Sequence, residues 1–120
     1  MIEQLKDTPT TIAAFRASGE VTREDFETVV IPVVNQVVEK TGRLDYLMVI
    51  DTPLKNFTIG AWWEDVLMGL KKITKWHRAA IVTDSNAINK FTDIFSVLVP
   101  GEFRGFKYKE LDDAVRWVAS

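Results

Sequence analysis

Two short apolar runs, LDYLMVI at 44–50 and AAIVT at 79–83, limit what this chain can fold into more than any other feature. Both are almost continuous. A strand with one wet face alternates apolar and polar residues, whereas a strand covered on both faces does not. The runs therefore read as interior strands of a parallel sheet packed by helices. The residues between them repeat at helical spacing over about 59–75, with Trp62, Val66, Leu70 and Ile73 on one face and Trp63, Leu67 and Thr74 widening it. Strand, helix and strand in series imply a right-handed crossover between parallel neighbours.

The alternation extends in both directions. Residues 1–5 and 11–18 read as strands joined by a turn at Asp7-Thr8-Pro9, giving an antiparallel hairpin. Thr22 is a candidate N-cap, with Asp25 completing a capping box in place of Glu, and Val21 and Phe26 occupy the positions of a hydrophobic staple. Phe26, Val29, Val30, Val33, Val34, Val37 and Val38 then follow at helical spacing. So much valine also suits a strand, but the caps and the spacing decide for helix. Pro32 lies inside this pattern and is expected to kink it, and Gly42 suits the left-handed stop. Beyond the second run a helix is expected over about 85–98, ended by Pro100-Gly101. A strand near 103–108 and a last helix from about 110, with Leu111, Ala114, Val115 and Val118 inward, complete the chain. The reading is one α/β domain over 1–120, with a mostly parallel sheet, an N-terminal antiparallel hairpin and about four helices.

Composition excludes several functions. With no cysteine among 120 residues, thiolate catalysis, zinc-thiolate sites and disulfides are ruled out. A net charge of −2 with interspersed signs argues against a dedicated nucleic-acid binder. The opening MIEQLKDT lacks the basic and apolar regions of a signal peptide. No apolar run approaches the roughly 18 residues of a membrane span. A cytoplasmic setting, with no resident cofactor or metal, is the expectation.

The stretch KWHRAAIVTDS, 75–85, holds the single histidine, then Asp84 and Ser85. If 79–83 is a strand, His77 sits at its amino edge and Asp84-Ser85 at its carboxyl edge. Seven extended residues separate them by roughly 20 Å, whereas a general base must lie within roughly 3 Å of its proton. The set is therefore no catalytic triad, and Asp84-Ser85 reads as a helix N-cap. Lys71, Lys72, Lys75, His77 and Arg78 read as cations answering the negative end of a helix.

A stronger functional candidate is the carboxyl edge of the sheet, where open α/β folds bind ligands. Asp51-Thr52-Pro53 and Thr83-Asp84-Ser85 leave the two runs there: if the strands are neighbours, Asp51 and Asp84 face one crevice that suits a polar ligand or a divalent cation, and the alternative is that each aspartate only forms a turn. No Gly-rich phosphate cradle accompanies them. The segment NFTIGAWWEDVLMGL, 56–70, is unusually aromatic. Adjacent helical residues point about 100° apart, so Trp62 and Trp63 either both pack against the sheet or divide between core and a flank, pocket or interface. With Val97 and Val99 off the inward stripe of 85–98, these segments suggest an apolar partner surface, and a homodimer is the simplest occupant.

Taken together, GEVTREDFETVVIP, LDYLMVID, FTIGAWWEDVLMGL, HRAAIVTD, VPGEFRGF and ELDDAVRWV resemble the SpoIIAA-like proteins, whose fold is shared with STAS and CRAL-TRIO domains. The run Ala61-Trp-Trp-Glu-Asp65 is the most specific part. The resemblance spans nearly the whole chain and implies a sheet of four to five strands flanked by helices. Anti-sigma antagonists of the STAS type are switched at a serine in an Asp-Ser-Ser-Gly-like turn. The matching stretch here is Asn56-Phe-Thr-Ile-Gly60, where only Thr58 offers a hydroxyl and the aspartate is missing, so the phosphosite does not carry over. The lipid-carrier branch is larger and encloses its ligand. What remains is a non-enzymatic interaction or regulatory module, with a small hydrophobic or lipid-like ligand at the carboxyl edge as the alternative. The candidate ligand or partner surface comprises Asp51, Phe57, Thr58, Trp62, Trp63, Asp84 and Ser85.

Overall fold

A computed structural model describes residues 1–53, 75–84 and 102–120 of the chain. Five strands form one sheet in sequence order: β1 (Ile2–Gln4), β2 (Ala13–Ser18), β3 (Leu44–Asp51), β4 (Trp76–Val82) and β5 (Glu102–Phe106). β1 runs antiparallel to β2, and every other neighbouring pair is parallel. Every residue from Leu44 to Ile50 in β3 is buried, as the unbroken apolar run requires of a central strand covered on both faces.

Alternation along the strands sorts the core into two layers. Phe15, Tyr46, Met48, Ile50 and Ile81 point to one face, where they meet Phe26, Val30, Val34 and Val37 of the first helical segment. Ala14, Leu47, Val49, Ala80 and Val82 point to the other, where Phe106, Ala114 and Val118 cover them. The Phe15 and Tyr46 rings lie 5.6 Å apart, and Tyr46 meets Trp76 edge-on at 5.7 Å.

The first helical segment comprises α1 (Arg23–Asp25), a π-helical stretch (Phe26–Val30) and α2 (Ile31–Thr41). Its start is the expected capping box. The Thr22 hydroxyl accepts from the Asp25 N–H at 3.2 Å, and the Asp25 carboxylate accepts from the Thr22 N–H at 2.9 Å. Pro32 was expected to kink the helix, and what the structure shows beside it is a widened turn. Pro32 has no N–H to give Thr28, and its ring crowds that residue's carbonyl. The preceding turn opens to the π pattern, with the Ile31 N–H reaching back five residues to the Phe26 carbonyl. Gly42 closes α2 in the left-handed conformation, φ 76°, and its N–H donates to the Val38 carbonyl at 2.8 Å.

β4 begins at Trp76, three residues before the apolar run, because the Trp76 side chain is buried although His77 and Arg78 interrupt the pattern. β5 ends at Phe106, earlier than expected, because Tyr108–Glu110 form a 3₁₀ turn leading into α3 (Leu111–Ala119). Ala114 and Val118 of α3 are buried, while Leu111 and Val115 are partly so. Among the described residues there are thus two helical segments, and the helices expected over 59–75 and 85–98 lie outside them. Among the described residues no helix is long and apolar enough to cross a membrane.

Burial has a consequence at high pH. It pushes the Tyr46 phenol well above its ordinary value near 10. The folded chain then keeps this proton while the unfolded chain gives it up. Tyr46 contributes its full stability below pH 10, and that contribution is lost as pH rises beyond it. Above pH 10 the loss is about 1.4 kcal/mol per pH unit. Urea denaturation of the wild type and Tyr46→Phe between pH 8 and 11.5 is expected to show the steeper decline in the wild type. Parallel declines would disprove the assignment.

Candidate functional site

The parallel strands give the sheet an amino rim and a carboxyl rim, and the polar residues divide between them. At the amino rim the β3–β4 register shifts: Leu44 pairs with Trp76, but Asp45 pairs with Arg78. His77 is the extra residue, and a bulge of this kind re-aims a side chain. Its Nδ1 lies 2.7 Å from Asp45 Oδ1, and Arg43 Nε lies 3.1 Å from Asp45 Oδ2. The Asp45 side chain is 2% exposed and that of His77 36%. A buried carboxylate needs partners, and both oxygens of Asp45 have one.

His77 is therefore at the amino end of β4, as expected, but its partner is Asp45, which sequence reasoning missed. A carboxylate inside an otherwise apolar strand was the available signal, since buried charges require partners. Arg78 answers the end of α3, while the segment before it, whose end it was expected to answer, lies outside the described residues. Its Nη1 donates to the Trp117 carbonyl at 2.7 Å and also meets the Ser120 hydroxyl. Its guanidinium lies 5.1 Å from the Trp117 ring centroid, and Glu102 lies 3.5 Å from its Nε.

The carboxyl rim holds the predicted acids. Val49 pairs with Val82, so Asp51 and Asp84 each lie two residues further on along neighbouring strands. Asp51 forms an exposed ion pair with Arg16 of β2 at 3.5 Å. Asp84 accepts a hydrogen bond from the Tyr108 N–H at 2.8 Å, so it caps the turn before α3 from across the sheet. The helix that Asp84-Ser85 was expected to start lies outside the described residues.

Tyr108 is the residue that ties this rim together, and nothing in the sequence marked it. Its hydroxyl donates to the Ile50 carbonyl. Burial raises its phenol above the ordinary value. A Thr83 hydrogen bond opposes the rise, the carboxylates of Asp51 and Asp84 add to it, and Arg16 opposes it. Beside it opens a cleft of about 190 Å³, lined by Leu5, Arg16, Val49, Val82, Tyr108 and Leu111. Four of its six lining residues are apolar, and Arg16 and Tyr108 bring the polar atoms. Of the predicted surface, Asp51 and Asp84 both come to this rim, whereas Phe57, Thr58, Trp62, Trp63 and Ser85 lie outside the described residues. Among the described residues no group of three or more His, Asp or Glu is arranged to hold a metal ion.

A family model described as SpoIIAA-like matches residues 12–119. Among solved structures, the chain is similar to an uncharacterized protein of the DUF3478 family with a SpoIIAA-like fold from Shewanella loihica PV-4. That match has 28% identity and a TM-score of 0.61, covering 98% of this chain and 90% of that one. No curated protein matches.

Proposed function

The chain belongs to the SpoIIAA-like family, and from that premise we propose that it is a non-enzymatic binding module whose carboxyl-rim cleft takes a small, uncharged, largely apolar ligand. One observation carries this reading: a cleft lined by apolar Leu5, Val49, Val82 and Leu111 together with Tyr108 and Arg16, placed where open α/β sheets bind ligands. The charges around it are already committed, Arg16 to Asp51 and Asp84 to the Tyr108 N–H. An ionic ligand would have to break those contacts, whereas a hydroxyl can share the Tyr108 oxygen. At about 190 Å³ the cleft is smaller than a drug-sized site, which points to a compact ligand. His77 and Asp84 lie at opposite ends of β4, roughly 20 Å apart, so they do not act together on one ligand atom.

Titration with hexanol and cyclohexanol, followed by amide NMR shifts, is expected to perturb Arg16, Val49, Val82 and Tyr108 saturably. Leu111→Trp fills the cleft and should lower the affinity at least about tenfold, the equivalent of one missing apolar contact surface. A flat response across these residues would end the proposal.

A second reading is a module that binds a protein partner or a second copy of itself through the aromatic and aliphatic segments 57–67 and 94–99. Those segments lie outside the described residues, so the support for it is their composition. Light scattering that reports a strict monomer, with no partner captured by the immobilised chain, would remove it.

A further inference from the structure

A second cavity opens among the described residues, sharing Leu5 with the carboxyl-rim cleft. It is a groove of about 490 Å³ between the β1–β2 turn and α2, within the usual size range for small-molecule sites. Leu5, Ile12, Val33 and Val37 give it apolar surface, and Lys6 from the turn and Lys40 from α2 line it together with neutral polar residues. No acidic side chain is among its described lining residues. Lys40 Nζ donates to Thr10 Oγ1 at 2.9 Å, which ties the helix wall to the turn. Among the described residues neither lysine has a carboxylate partner. Nor is Lys40 needed to satisfy the end of its helix. The Val38 carbonyl accepts from the Gly42 N–H, and the Val37 carbonyl accepts from the Thr41 hydroxyl at 2.8 Å. Among the described residues, two ammonium groups without a carboxylate partner thus line one groove of a chain whose net charge is −2.

We propose that this groove binds a small anionic amphiphile: a carboxylate on a short alkyl chain, with the headgroup between Lys6 and Lys40 and the chain on Leu5, Val33 and Val37. The ammonium groups supply charge-assisted donors, and the apolar residues supply contact surface. Leu5 lines both cavities, but the requirement for a negative headgroup distinguishes this site from the carboxyl-rim cleft, so either assignment can fail without the other.

The experiment is an amide NMR titration of the full chain with octanoate and, separately, with octanol. Octanoate should shift Lys6, Thr10, Val33, Val37 and Lys40 saturably, and octanol should bind there at least about tenfold more weakly, since a charged hydrogen bond is worth about that factor. Lys40→Gln and Lys6→Gln should each weaken octanoate severalfold and leave the octanol response unchanged. Equal affinity for the two probes, unchanged octanoate binding in both variants, or shifts confined to other residues would overturn the proposal. Shifts at these residues that follow protein concentration without any probe would also overturn it, in favour of contact between copies.

Discussion

Phe15→Ala is expected to lower the unfolding free energy by about 3–5 kcal/mol, measured as the shift of the urea midpoint at constant slope. Phe15 is fully buried in β2, between its strand partners Gln4 of β1 and Met48 of β3, and its ring packs on Tyr46. Three hydrogen-bonded strands hold the backbone around it, so the layer has little freedom to collapse onto the space that alanine leaves. The loss therefore combines the transfer term with a cavity term. Phe15→Leu keeps most of the volume and should cost less than about 1.5 kcal/mol. The next residue along supplies the contrast. Arg16 and Asp51 form an ion pair, but both side chains are about half exposed, and such pairs are worth about 0–1 kcal/mol. Arg16→Ala should barely move the midpoint. A loss below about 1.5 kcal/mol for Phe15→Ala would mean that the ring is not enclosed as the core layer requires.

The contrast between neighbours also explains how much of the molecule could be read from its sequence. Strand placement depends on apolar patterning, and the run 44–50 specified β3 almost to the residue. Thr22 and Asp25 were equally legible, because a capping box needs only partners three residues apart. Pro32 was legible as a perturbation, but its local outcome was not. Whether a helix kinks or opens to a π turn depends on how the valine face packs against the sheet. The contacts that build the two rims were out of reach for a different reason. His77 meets Asp45 across 32 positions, Arg78 meets Trp117 across 39, and Tyr108 meets Ile50 across 58. Spacing rules act over one or two turns and say nothing about such distances. The carboxyl-rim position of Asp51 and Asp84 was legible because topology alone places strand ends together. Tyr108 was not, because its role depends on the turn after β5 folding back over the rim.

The amino rim offers the second large effect. Asp45→Ala should cost about 2–3 kcal/mol, below the 3–5 of a buried pair broken to strand a charge. The reason is that His77 and Arg43 are partly exposed and can turn to water when the carboxylate is gone. His77→Ala removes the other side of the contact. It leaves Asp45 buried with Arg43 on one oxygen and nothing from β4 on the other, at an expected cost of about 1–3 kcal/mol. Because both changes break one 2.7 Å contact, their effects should not add. The double variant should fall short of the sum by about 1–2 kcal/mol, within the usual range for residues in direct contact. Simple additivity to within about 0.5 kcal/mol would show that the contact contributes nothing and that the bulge is set by backbone pairing alone. The same variants separate structure from function. If this cluster only fixes the β3–β4 register, hexanol binding at the far rim should persist in every variant that still folds. Loss of that binding in folded His77→Ala would instead connect the two ends of β4, and the histidine would have a role beyond holding the strands in step.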